Sequence, residues 1–208
     1  VVAPAPDAHL PVRGHGPATD LAALDDPVVA SRFVESAANW PISGDQVDGA
    51  IGQASTMTAW CHGAPGITLA ISLGSADTVD PHLIDQLEPA LKTTATASPH
   101  KADHVCCGNV GRCEALFTTG RRLMRRDAIE GGRRLARIVI ARARAAGHFC
   151  LSANGFEYRM FDPGFFRGLS GIGYSLLRLA SPSSLPSIAA FEAPPVGRSH
   201  GGLAPPGS

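Results

Sequence analysis

Apolar residues recur at helical spacing along most of this chain, and turns rich in glycine or proline separate the recurring segments. From Asp26 to Ala38, the residues Val28, Val29, Phe33 and Val34 form one apolar face, and Pro27 suits a first helical turn, where its missing N–H is not needed. Asn39 to Thr58 is polar and Gly-rich and reads as a connecting loop. Pro65 to Leu73 is an apolar helix after a Gly-Ala-Pro-Gly turn. Asp80-Pro81 supplies an N-cap and a first-turn proline for a helix to Lys92, with Leu83, Ile84, Leu87 and Leu91 on one face. Val110 to Thr118 follows, with Val110, Cys113, Leu116 and Phe117 inward. Arg121 to Ala146 predicts a long helix with Leu135, Ile138, Val139 and Ile140 inward and Gly131-Gly132 as a break. His148 to Phe166 mixes aromatics with Asn-Gly and Asp-Pro-Gly, a long loop with room for a short hairpin. Ile172 to Ala180 is the last apolar helix before a Pro-rich tail from Ser181, while residues 1–25 lack periodicity and read as a linker.

A repeat lies inside this pattern. Gly63-x-x-Gly66, Gly108-x-x-Gly111 and Gly168-x-x-Gly171 each open an apolar helix, and their starts are 45 and 60 residues apart. Gly49-x-x-Gly52 matches the same spacing but opens no apolar helix, so the repeated context carries the signal rather than the glycines alone. Hairpins that cannot bury their own apolar face stack side by side, which predicts an all-α repeat architecture.

Composition narrows the functional classes. With 208 residues and 44% hydrophobic content the chain can build a core, as one domain or a piece of a larger one. Basic and acidic residues balance at 18 each, which gives no case for a nucleic-acid or anionic-membrane partner. The nine arginines between 121 and 144 read as a solvated helix face. No apolar run approaches the roughly 20 residues of a transmembrane segment. The start, Val1 to Pro11, has no signal-peptide pattern, and five cysteines, an odd number, fit metal or thiol chemistry in a reducing cytoplasm better than a disulfide framework.

The cysteines carry the chemistry. Cys61 and the pair Cys106-Cys107 lie just ahead of two of the repeated glycine turns. Three thiolates from neighbouring turns can hold zinc and leave a fourth position open, the arrangement of a catalytic site. The helix N-termini beside them are expected to favour thiolate over thiol. The residues alone leave a catalytic zinc, a closed structural zinc and buried free thiols all open. Cys113 falls within its helix and reads as core, and Cys150 and His148 lack a supporting motif. His62 would sit at the mouth, placed to pass a proton, and His104 two residues before Cys106 would support the site.

Trp60-Cys61-His62-Gly63-Ala64-Pro65-Gly66-Ile67, then Cys106-Cys107-Gly108-Asn109, then the run Gly168 to Leu179 resemble the LanC-like lanthionine cyclases. The resemblance is closest to the C-terminal cyclase domain of LanM-type lanthipeptide synthetases and extends from Ser31 to Pro195, taking in Asn39-Trp40-Pro41 and Ser184 to Phe191. It implies an α/α toroid that uses zinc to add peptide cysteine thiols to dehydroalanine or dehydrobutyrine. It also implies Cys61, Cys106 and Cys107 as the zinc ligands, the last standing where histidine is common, and His62 as an active-site residue. The implied partners are a dehydrated precursor peptide and a dehydratase domain or protein. On this reading residues 1–30 are linker, 31–195 the C-terminal part of a cyclase and 196–208 a tail, and the toroid is incomplete. The family's upstream histidine has no counterpart, because His15-Gly16 precedes no inner helix. A degenerate zinc-containing scaffold or peptide-binding protein is the alternative.

Overall fold

The structure is a computed structural model that describes residues 27–42, 55–74, 79, 81–152, 161–182 and 184–193. Its helices are α1 (Pro27–Ser31), α2 (Ala64–Leu73), α3 (Pro81–Thr96), α4 (Asn109–Arg122), α5 (Arg126–Ala146) and α6 (Leu169–Ala180), followed by a 3-10 turn at Ile188–Ala190. Among the described residues there is no sheet, only isolated bridges. The expected all-α architecture is what forms. No described helix is long and apolar enough to cross a membrane.

α4 is the centre. It packs on α5, α2 and α6, while α3 closes against both α2 and α5. The glycine-opened helices α2, α4 and α6 therefore make one row, and α3 and α5 back it. This is the stacking expected of hairpins that cannot bury their own faces. α4 is buried from Asn109 to Gly120, so its polar side chains need internal partners. Arg112 donates to the carbonyls of Thr94, Ala97 and Ser98 and so caps the end of α3. Glu114 accepts from Arg178 of α6 at 2.9 Å and pairs with the Ser187 hydroxyl at 3.3 Å, tying the 3-10 turn to the core. Burial pushes the Glu114 carboxyl up, and Arg178 opposes that shift.

Four expectations need correction. The helix expected over 26–38 ends at Ser31, because Asn39 is drawn away to the start of α2 and its carbonyl takes the Val34 N–H at 2.8 Å. α3 continues past Lys92 to Thr96, through Pro89. The break expected at Gly131-Gly132 falls instead at 123–125, with Met124 at φ 55° and α4 running on to Arg122. The two glycines are a contact surface: a Cβ on Gly132 would lie 2.9 Å from the Cys113 carbonyl oxygen, and one on Gly131 3.2 Å from Ala95 Cβ. Ile84 and Ile138 were expected inward but stay 45% and 37% exposed. The α5 arginines do line a largely solvated face, with Arg133, Arg134, Arg137 and Arg144 exposed. The Asp80 N-cap, the 1–25 linker, His15-Gly16, Gly49-x-x-Gly52, most of the 148–166 hairpin region and the tail beyond 193 lie outside the described residues.

Candidate metal centre

Three turns with one backbone plan build the site. Gly63, Gly108 and Gly168 stand at the N-caps of α2, α4 and α6. Gly63 has φ 87°, a conformation that side chains other than glycine rarely adopt. The second glycine of each motif packs on the carbonyl six residues earlier. A Cβ there would come within 2.0 Å of Trp60 O for Gly66, 1.9 Å of Val105 O for Gly111 and 1.8 Å of Phe165 O for Gly171. Backbone hydrogen bonds join the turns in order: Cys61 N–H donates to Cys106 O at 3.2 Å, and Cys106 N–H donates to Phe166 O at 2.7 Å. Cys61, Cys106 and Phe166 thus share one position of the repeat, and His62, Cys107 and Arg167 share the next.

This register gathers the three expected thiols. Each offers a sulfur, and the three sulfurs all lie within 4.8 Å of one another. Cys61 Sγ is 3.2 Å from Cys107 Sγ, which is 3.5 Å from Cys106 Sγ. All are free and half-buried. Burial pushes the Cys61 thiol well up, with further upward pushes from Cys107 and Cys106. Cys106 is raised too, first by burial and then by Cys107. The expected thiolate preference of the helix ends therefore loses to desolvation and crowding. A cation reverses that balance, since a coordinating thiol is deprotonated outright. Sulfurs on a tetrahedral zinc stand about 3.8 Å apart, given a Zn–S bond near 2.3 Å. The donor set and its spacing fit zinc.

His62 is exposed, with Nδ1 3.1 Å from Cys61 Sγ. His104 is buried, and its Nδ1 accepts the Cys107 N–H at 3.3 Å, so it orients a thiol rather than facing solvent. Burial, followed by the nearby Arg167 charge, holds its pKa down and keeps the ring neutral, as an accepting nitrogen requires. Cys113 lies in the core at 1% exposure, Cys150 hydrogen-bonds Ser152 O, and exposed His148 has its Nδ1 3.0 Å from the Ala146 carbonyl.

Sequence reasoning from the residues missed three supports. Asn39 is buried, and its Oδ1 accepts the N–H of Ala64 at 2.6 Å and of Trp40 at 2.8 Å, holding the first turn of α2. Asp103 is buried between Asn109 Nδ2 and the Cys150 N–H, each at 3.0 Å, and fixes the loop that delivers Cys106. Arg167 shares the register of His62 and Cys107, a match that aligning the three turns on their first glycines brings out.

No curated protein matches the chain. The family model for the lanthionine synthetase C-like proteins matches residues 27–190, a span that takes in the six helices of the described residues, the three glycine turns and the sulfur cluster. This chain belongs to the lanthionine synthetase C-like protein family.

Proposed function

We propose that this chain is the catalytic metal-holding part of a lanthionine cyclase of the LanM type, which forms thioether rings in a dehydrated precursor peptide. One observation carries the reading: three sulfurs from two neighbouring helix-opening turns lie within 4.8 Å of one another. Zinc on Cys61, Cys106 and Cys107 would supply Lewis acidity at an open fourth position, holding an incoming peptide thiol as thiolate near neutral pH.

The residues of the chain do the rest. The glycine turns bring the three sulfurs to one point, and His104 fixes the Cys107 backbone. The peptide sulfur forms a bond to the β carbon of dehydroalanine or dehydrobutyrine. The alkene pair moves onto the adjoining carbonyl as an enolate, and a proton then adds at the α carbon. The proton lost by the thiol balances the one gained. His62 carries its ring at the exposed edge of Cys61, where Nε2 is the atom to take and return that proton. The substrate partner is the dehydrated peptide, with dehydration performed by a separate domain or protein of the same pathway, and the compartment is the cytoplasm.

The test is to incubate the zinc-loaded chain with a dehydrated cysteine-containing peptide and count remaining thiols by alkylation and mass spectrometry. Loss of free thiol above the uncatalysed background, abolished by Cys61→Ala, supports the cyclase. Unchanged thiols with one zinc bound would instead favour a scaffold that keeps the metal for structure.

A further inference from the structure

The third glycine turn carries no thiol, yet it stands in the same register as the two that do. Cys106 N–H donates to Phe166 O at 2.7 Å, so the residue after Phe166 holds the place that His62 and Cys107 hold in the other turns. That residue is Arg167, and it is exposed. It makes no ion pair or hydrogen bond with any described residue, whereas Arg112 and Arg178, near the row's centre, are buried and donate from their terminal nitrogens to internal acceptors. Its base is rigid. Phe166 stacks on Trp60 with centroids 5.0 Å apart, Phe165 meets Phe166 edge-on, and Gly168 is wedged against the carbonyls of Asp162 and Gly164. Among the described residues, this guanidinium on a fixed turn beside the sulfur cluster has no structural partner to explain it.

We propose that Arg167 is a substrate-binding residue whose guanidinium donates to the carbonyl oxygen of the dehydroamino acid that accepts the thiol. The proposal rests on the cyclase reading of the cluster. As the S–C bond forms, the alkene pair shifts to that oxygen, which goes from neutral to anionic and returns to carbonyl when the α carbon takes its proton. A fixed cationic donor interacts more strongly with the enolate than with the ground-state carbonyl, so it lowers the barrier rather than only tightening binding. His62 and Arg167 then divide the work by position: the former sits at the thiol and the latter at the acceptor.

The experiment compares R167Q, R167K and R167A with the unaltered chain, all zinc-loaded, on a dehydrated peptide. R167Q is expected to lower kcat by roughly 100-fold, the loss typical of removing one such donor, with KM changed far less and bound zinc unchanged. R167K should recover part of the rate, and added methylguanidine should restore R167A. Wild-type kcat in R167Q, or a loss that follows the zinc content, would overturn the proposal. A second measurement keeps it separate from the cyclase reading: calorimetric binding of a cysteine-free dehydroalanine peptide, which cannot cyclise. The unaltered chain should bind it more tightly than R167Q does, even if no ring formation is seen with any peptide. Equal binding, or none by either protein, would refute the role of Arg167.

Discussion

The turn that opens α4 and the turn that opens α6 are built alike and hold different chemistry. Both place a glycine at the N-cap and a second glycine hard against the carbonyl six residues earlier. One presents Cys106 and Cys107 to a shared point, and the other presents Phe166 and Arg167. The backbone plan is therefore a scaffold requirement that does not depend on the metal. On the proposed reading, the chemistry is set by the two residues just before the first glycine.

Breaking the scaffold should hurt both turns equally. A Cβ at Gly111 or Gly171 would meet backbone oxygen at 1.9 or 1.8 Å, an atom that cannot swing aside. Gly171→Ala should cost roughly 4 kcal/mol or more in denaturant unfolding, as much as Gly111→Ala, although its turn carries no thiol. A tolerated Gly171→Ala would mean the third turn is not built on the shared plan. The next effect concerns what holds α6 to α4. Arg178→Met leaves Glu114 buried without its partner and should cost roughly 3 kcal/mol or more, while pairing it with Glu114→Leu should return most of that loss. Recovery absent in the double variant would show that the pair does more than neutralise itself.

Chemistry should separate the turns where stability does not. Cys106→Ala is expected to abolish stoichiometric zinc in metal analysis, and Phe166→Leu to leave it intact. His104→Ala should fall between them, since losing a group that orients a ligand costs roughly 10–100-fold in metal affinity. Equal zinc binding by all three would remove the thiols from the account.

The smallest effect lies away from the turns, at the exposed cluster where Arg125 binds Glu88 and Asp127. Hydrogen bonds from Arg125 hold both carboxyls below their usual range. A depressed folded pKa means the stabilisation is present above the unfolded value near 4 and is lost as pH falls through the folded one. Because both carboxylates are well exposed, Glu88→Gln should cost under about 1 kcal/mol at neutral pH and progressively less as the pH is lowered into the acid range. A cost that persists in acid would point to packing instead.

Much of this was legible in the sequence where local rules act alone. The glycine turns, the helices they open and the three thiols followed from spacing, because N-caps and periodicity are local signals. What stayed hidden depends on distant partners. Asn39 looked like loop but serves α2, and that recruitment is what ends α1 at Ser31. Gly131-Gly132 looked like a break because glycine lowers helix propensity, yet the contacts with α3 at Gly131 and α4 at Gly132 favour residues without side chains there. The thiols' raised pKa values could not be read from helix ends, since they come from crowding that exists only once the turns meet.

The central claim is that Cys61, Cys106 and Cys107 together hold a zinc ion with one position left for substrate. X-ray absorption at the zinc edge on the metal-loaded chain tests it most directly. Three sulfurs near 2.3 Å and one lighter donor are expected, with a fourth sulfur replacing that donor when a peptide thiol is added. Two sulfurs or fewer, or four before any peptide is present, would contradict it.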